Sequence, residues 1–237
     1  MKNLIFLHGL VGSKNNFEYL EKEFPDYQIT SFDLIGFGRE IKPEIKYTLD
    51  VYMKFLDKKL QLSQNNDTQY TLIGHSLGAL LAKEMAKKYP QKITKIFLMG
   101  YPFLEKNKVL GNRRFFDGRY VEGVWWTKIM CETRMFWKIL SSPFIFLFGY
   151  KYRKSYLDYF NHTYQSAYGT IHNVILSDNK EELLNLSNKI VFINGQKDTS
   201  ADLEFTKKFK HYFIKSMGHS FFNHESEIAQ IIKREIN

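Results

Sequence analysis

At 237 residues the chain is long enough for one large domain, or for one domain that carries an insertion. Hydrophobic residues make up 44% of it and charged residues 25%, which is typical of a folded globular chain rather than a disordered one. The formal net charge is +9, but no nucleic-acid-binding motif accompanies it, so we predict no nucleic-acid partner.

Cysteine usage and hydropathy indicate the compartment. The single cysteine, Cys131, excludes an intrachain disulfide and favours a reducing, cytoplasmic location. The apolar run at residues 4–7 is too short for the core of a signal peptide, and no run has the length of a membrane span. We therefore expect a cytoplasmic protein, either a monomer or a homodimer.

The first part of the chain alternates apolar strands with helices. Short apolar runs of the strand type end at glycine, aspartate or loop residues, and apolar residues recur at helical spacing between them. The predicted elements are strands at 2–7, 27–32, 70–73 and 93–99, and helices at 17–24, 49–60 and 77–88.

The same alternation resumes near the carboxyl terminus. Strands are predicted at 189–194 and 211–214, with a helix after each. Near-continuous apolar strands joined by helices are typical of a parallel sheet covered on both faces. We therefore predict an α/β fold, a doubly wound and mostly parallel sheet, with its core at residues 1–100 and 186–237.

Residues 101–185 interrupt this alternation, and they are too many for an ordinary connection. Aromatic residues at helical spacing, among them Trp125, Trp126 and Phe136, indicate amphipathic helices. The stretch is also basic, with eleven basic and five acidic residues between positions 101 and 160. We predict an inserted, mostly helical lid, or cap.

A G-x-S-x-G element joins the strand at 70–73 to the helix at 77–88. Ser76 is its central residue, and Gly74 and Gly78 remove side chains that would collide in so tight a turn. The amino end of the following helix supplies amide groups and a positive dipole end beside the serine. We interpret Ser76 as a nucleophile.

A serine nucleophile needs a base and an orienting acid. His219 is the best base, because it follows the last strand in a loop, where it can reach the turn at Ser76. Asp198 is the best candidate for the acid, since it follows the predicted strand at 189–194. Asp202 is its nearest rival and is also a candidate helix cap.

Attack of a serine on a carbonyl group forms an oxyanion, which needs two amide donors. The amide of Leu77 directly follows the nucleophile, and the loop after the first strand offers Leu10, with Val11 as the alternative. His8 and Gly9 precede these residues and are candidates for contact with substrate.

Five glycine-containing motifs run through the predicted core in order. They are His8-Gly9-x-x-Gly12, Asp33-x-x-Gly36-x-Gly38, the element from Gly74 to Gly78, Gly195-x-x-Asp198 and Gly218-His219. Together they resemble the α/β-hydrolase superfamily, in its serine esterase and C–C hydrolase branch with a helical cap. The resemblance implies a Ser-His-Asp mechanism without a metal or organic cofactor. Glu40 replaces the serine that often ends the second motif.

Two enzymatic hypotheses and one non-enzymatic hypothesis about the function remain open. The first is hydrolysis of a carboxylic ester or thioester of an apolar or aromatic small molecule through an acyl-enzyme. The second uses the same residues for C–C hydrolysis or a lyase step. The third is a non-catalytic ligand-binding protein on this fold.

Side chains of the cap and of the loop at 33–39 are the candidates for substrate binding. They are Phe37, Trp125, Trp126 and Phe136. The apolar run at 144–148 is followed by Lys151, Arg153 and Lys154. This basic part of the cap is a candidate for weak peripheral contact with an anionic membrane, for attraction of an anionic substrate, or for contact with solvent only.

Overall fold

The computed structural model describes residues 2–64, 68–103, 125–144 and 150–236, except for the side chains of Trp126 and Tyr150. Within these ranges six strands form one sheet in the order β2-β1-β3-β4-β5-β6, and every neighbouring pair is parallel. The strands are β1 (Asn3–Leu7), β2 (Gln28–Ser31), β3 (Tyr70–His75), β4 (Ile93–Met99), β5 (Ile190–Gly195) and β6 (Lys210–Ile214). The predicted α/β fold is confirmed.

Both faces of the sheet are covered, because successive strand residues point to opposite sides. Ile5 of β1 belongs to an apolar cluster that the helices α2 (Leu49–Leu60) and α3 (Leu77–Lys88) complete. Its neighbours Leu4 and Phe6 belong to a second cluster, completed by α1 (Glu18–Glu21) and α9 (Glu225–Ile236). This two-sided core is the doubly wound arrangement that the sequence predicts.

Two predicted helices are shorter than expected. The one at 17–24 is a 3-10 turn at Lys14–Phe17 followed by the single turn of α1. The helix after β5, α8 (Leu203–Thr206), is also one turn long. Asp202 caps it by accepting the Phe205 amide at 3.0 Å, which gives this carboxylate a structural role.

The connection between β4 and β5 is helical where the structure describes it. It contains α4 (Trp125–Glu132), α5 (Arg134–Ser141), α6 (Arg153–Asp158) and α7 (Tyr164–Thr170), then a π turn at Ile171–Ile175 and a 3-10 helix at Lys180–Leu186. Residues 104–124 and 145–149 lie outside the described part, and with them most of the apolar run at 144–148. The described helices include none with the length and hydropathy needed to cross a membrane.

A buried cation, Lys83 of α3, ties this connection to the core. Its side chain has no solvent exposure and pairs with Asp178 and, at 2.8 Å, with Glu84. Tyr101 donates its hydroxyl to Asp178 at 2.5 Å. Burial alone would lower the pKa of Lys83, but the two carboxylates raise the pKa above its ordinary value. Lys83 therefore keeps its positive charge inside the protein.

Replacing Lys83 should destabilise the fold far more than replacing a neighbouring exposed lysine. Lys83→Met leaves the Asp178 carboxylate buried without its cation, which costs about 3–5 kcal/mol. Lys87→Met is the matched control, because Lys87 pairs with the same Glu84 at 3.0 Å but is 36% exposed, and its loss should cost less than about 1 kcal/mol. Urea unfolding of the two variants checks this, and equal losses would contradict it.

Candidate active site

Ser76 occupies the sharp turn between β3 and α3. Its backbone has φ 53° and ψ −115°, a conformation that is strained for a residue with a side chain. The turn is tightly packed, since a Cβ atom on Gly78 would lie 1.9 Å from the carbonyl oxygen of Leu7. The Ser76 amide donates to the Met99 carbonyl at 2.9 Å. Strands β1 and β4 thus hold the serine at the amino end of α3.

His219 and Asp198 extend a chain of hydrogen bonds from this serine. His219 Nε2 lies 3.0 Å from Ser76 Oγ, and His219 Nδ1 lies 2.9 Å from Asp198 Oδ2. Because a carboxylate only accepts, the imidazole proton belongs on Nδ1, and Nε2 accepts the serine hydroxyl. The Asp198 side chain is 1% exposed and that of His219 is 42% exposed. The two ends of the chain, Asp198 and Ser76, are therefore buried, and His219 between them is the most exposed member.

Ser200 is a further member of this network, which the sequence analysis missed. Its hydroxyl donates to Asp198 Oδ1 at 2.7 Å, and its amide donates to the same oxygen at 2.9 Å. The hydroxyl oxygen also lies 2.8 Å from His219 Nδ1 and accepts from it. A serine two residues after an aspartate is typical of a turn that the carboxylate closes. This spacing could have indicated the contact between Ser200 and Asp198.

The surroundings of Asp198 keep it ionised. Burial would raise the pKa of its carboxyl group. The hydrogen bond and charge of His219, together with the bonds from Ser200, outweigh burial and hold the pKa below its ordinary value. An ionised carboxylate at Nδ1 is the orienting partner expected of the acid beside a general base.

The loop after β1 lies directly against Ser76, since a Cβ atom on Gly9 would be 3.1 Å from the serine Cβ. A backbone hydrogen bond of 3.1 Å to the Gly9 carbonyl closes a turn in which Val11 has φ 52°. Leu10 lies in this turn. Leu77 is the first residue of α3, where a helix leaves the amide without an intrahelical acceptor. Both expected oxyanion donors are on segments beside Ser76, and their role stays a prediction.

His8 supports this loop from the interior. The Leu34 amide donates to its Nε2 at 2.9 Å, so Nδ1 carries the proton and donates to the Gly9 carbonyl at 2.8 Å. Burial lowers the pKa of His8, which keeps the ring neutral. The Phe37 ring packs edge-on against it, 6.3 Å between centroids. Both side chains are fully buried, and their contact with substrate stays a prediction.

Two carboxylates fasten the segment that follows this loop. Asp33 accepts the Lys14 amide at 2.7 Å. Asp158, the last residue of α6, accepts from the Ser13 hydroxyl at 2.8 Å and from the Asn15 side-chain amide at 2.6 Å. A helix of the β4–β5 connection is therefore bonded directly to the chain next to the site.

His75, beside the serine, supports the loop that carries His219. Its Nε2 donates to the His219 carbonyl oxygen at 2.9 Å, and the two rings lie 5.1 Å apart. Burial and the neighbouring His219 lower the pKa of His75 to about 3, so this ring is neutral. The sequence analysis did not identify this contact between His75 and the loop of the candidate base.

Two of the aromatic residues predicted to bind substrate from the cap are exposed to solvent. Trp125 is 72% exposed and Phe136 is 61% exposed, while the Trp126 side chain is outside the described part. Their contact with substrate stays a prediction. Among the described residues, no group of histidine, cysteine and acidic side chains has an arrangement that could hold a metal ion.

Known proteins share this framework. Residues 2–124 match the family described as alpha/beta hydrolase fold, and the chain belongs to that family. It is 24% identical over 90% of its length to "Probable lysophospholipase BODYGUARD 5" of Arabidopsis thaliana, of which the match covers 55%. Over 47% of its length it is 30% identical to "Putative 2-succinyl-6-hydroxy-2,4-cyclohexadiene-1-carboxylate synthase" of Bacillus subtilis, of which the match covers 40%. The chain spans about half the length of the curated relatives it matches.

Solved structures have the same fold at low identity. An esterase from Exiguobacterium antarcticum superposes with a TM-score of 0.73 at 16% identity, over 99% of this chain and 91% of that one. A thioesterase domain from the curacin biosynthetic pathway superposes with a TM-score of 0.67 at 15% identity, over 98% of this chain and 91% of that one.

Removing the Ser200 hydroxyl should slow the ester hydrolysis proposed below without abolishing it. Ser200→Ala deletes one bond to Asp198 and one to His219, so we expect kcat to fall about 5-fold, as for the loss of roughly 1 kcal/mol. KM should stay unchanged. Ser226→Ala is the control, because this serine also donates to a carboxylate, Glu23, at 2.7 Å but on α9. An unchanged kcat in Ser200→Ala would contradict the prediction.

Acid should destabilise the fold through its neutral buried histidines. In the unfolded chain His75 takes up a proton below its ordinary pKa of 6.5, whereas in the folded chain burial holds its pKa at about 3. Burial also lowers the pKa of His162, to about 4. Between pH 6.5 and these values the unfolded state binds more protons, so stability falls as pH falls, by up to about 1.4 kcal/mol per pH unit for each group.

The contribution of one ring can be isolated with His75→Gln, which keeps an amide donor and removes the titration. Urea unfolding between pH 7.5 and 5 should then give a pH slope shallower by up to about 1.4 kcal/mol per unit. A slope equal to that of the unaltered chain would contradict this assignment.

Proposed function

We propose that the chain is a serine hydrolase that cleaves a carboxylic ester or thioester, with Ser76 as nucleophile, His219 as base and Asp198 as orienting acid. The observation that carries this is the unbroken chain of hydrogen bonds, 3.0 Å from Ser76 Oγ to His219 Nε2 and 2.9 Å from His219 Nδ1 to Asp198 Oδ2. It starts at a strained serine on a helix amino terminus, the arrangement expected of an activated nucleophile.

The reaction proceeds in two halves. Ser76 Oγ attacks the substrate carbonyl carbon while His219 Nε2 takes the hydroxyl proton, and the amides of Leu77 and Leu10 stabilise the oxyanion. The imidazolium gives its proton to the leaving alcohol or thiol, which departs and leaves an acyl-enzyme. His219 then deprotonates a water molecule, which attacks the acyl carbon. Collapse of this second intermediate returns the proton to Ser76 and releases the acid.

The substrate class follows from the relatives and from the connection between β4 and β5. Relatives and structural neighbours are named lysophospholipase, esterase and thioesterase, and all three activities cleave an acyl group from oxygen or sulfur. We propose that residues 101–185 act as a cap over a small apolar or aromatic substrate. The proposed mechanism uses no metal and no organic cofactor.

Ser76→Ala should lower turnover of p-nitrophenyl esters at least about 10³-fold, because it removes the nucleophile. An ester series from acetate to palmitate measures both the activity and the acyl length that the site prefers. Ser63→Ala is the control, since Ser63 bonds the Asp57 carboxylate on the surface at 2.7 Å. Residual activity in Ser76→Ala equal to that of the control would contradict the proposal.

A second candidate is C–C cleavage or a lyase step with the same three residues. The similarity to a protein named as a cyclohexadiene-carboxylate synthase favours it. A fluorophosphonate that labels Ser76 while every ester resists hydrolysis would select this candidate. Failure of the reagent to label the serine would instead favour a non-catalytic binding protein.

A further inference from the structure

The helices α4 and α5 present their apolar sides to solvent. Of the large hydrophobic side chains that are exposed in the described part of the chain, most lie between residues 125 and 144. Two of them, Trp125 and Ile129, are one turn apart on α4. Four more form one face of α5, at positions that are neighbours on a helix surface: Met135, Phe136, Ile139 and Leu140. We call these six side chains the α4–α5 face.

The inner sides of these helices are fixed by contacts with the protein, so the outward direction of the face is not arbitrary. Cys131 of α4 is buried, with its Sγ 3.5 Å from Nε2 of the buried His162. Lys138 of α5 donates to the Asn161 side chain at 3.1 Å, and Arg134 donates to the Cys131 carbonyl at 3.1 Å. A surface helix ordinarily buries its apolar side and exposes its charges. Here α5 exposes its apolar side chains, while its two cations, Arg134 and Lys138, are half-buried.

The charges beside the face are mostly positive. Residues 125–144 carry three cations, Lys128, Arg134 and Lys138, against the one acid Glu132. Arg134 and Lys138 are half-buried at the edge of the apolar side chains. The neighbouring loop repeats the pattern, because Lys42, near enough to Arg134 to feel its charge, follows an exposed Ile41.

We propose that the α4–α5 face docks on the surface of an anionic phospholipid bilayer. Aromatic and aliphatic side chains on one side of a helix, with lysine and arginine at the boundary, match the two layers of a bilayer surface, acyl chains below and anionic headgroups above. A second copy of the chain fits less well, because a symmetric contact would bring the same cations of both copies together. This docking is independent of the hydrolytic reaction.

Vesicle binding by the full-length Ser76→Ala chain, which leaves the lipid intact, tests the proposal. We expect binding to phosphatidylcholine vesicles with about 30% phosphatidylglycerol to be at least about 10-fold stronger than binding to phosphatidylcholine alone, and to weaken with salt. The three tryptophans of the chain all lie at positions 125, 126 and 137. Brominated acyl chains should therefore quench its tryptophan fluorescence.

A double substitution of exposed side chains, Phe136→Ser with Ile139→Ser, should reduce binding to the anionic vesicles at least about 10-fold. Its circular dichroism spectrum and melting temperature should match those of the parent. Leu184→Ser is the matched control, since Leu184 is also exposed and apolar but lies on the 3-10 helix before β5. It should bind as the parent does.

Several results would overturn the proposal. Equal binding to neutral vesicles would remove the role of the anionic headgroups. Unchanged binding by the double variant would place the contact elsewhere. A dimer that forms without lipid and that the double variant abolishes would assign the face to a second copy. Absence of binding to either vesicle would mean that another part of the chain or a different partner covers the face.

Discussion

The strained turn at Ser76 is the constraint on which the rest of the site depends. A serine with φ 53° persists only where its surroundings over-determine it. Here the Met99 carbonyl holds its amide, and the approach of α3 to the Leu7 carbonyl leaves no room for a side chain at Gly78. Three neighbouring strands, β1, β3 and β4, must therefore align before the serine reaches its position.

Three histidines near this serine, His8, His75 and His219, differ in their burial and in their hydrogen-bond partners. His8 is buried and His75 is half-buried, and both rings are neutral and held in one tautomer by a backbone partner, so they act as rigid supports. His219 is partly exposed and has a buried anion, Asp198, on one nitrogen and a hydroxyl on the other. Only this last arrangement joins one ring nitrogen to a carboxylate and the other to the candidate nucleophile. The surroundings of each imidazole ring therefore distinguish the two supporting histidines from the candidate base.

The connection between β4 and β5 combines firm attachment with an outer side that is exposed and apolar in its described part. Asp158 bonds the segment after β1, and Asp178 pairs with buried Lys83, so its later part is fixed to the core at two places. The outward face of α4 and α5 is apolar instead. Stability within the chain accounts for the attachments but not for exposed tryptophan and phenylalanine side chains, which are typical of a surface that contacts an external partner.

The sequence by itself determined the sheet, the order of its elements and the identity of the three hydrogen-bonded residues Ser76, Asp198 and His219. Strand and helix patterns are local, and the ends of parallel strands meet at one edge, so order along the chain fixes which loops converge. The contacts of Ser200 and His75, the burial of His8 and Phe37 and the outward direction of Phe136 were decided by the tertiary structure. Each depends on which side chain from a distant segment fills the adjacent space, and periodicity along one helix or strand carries no information about that partner.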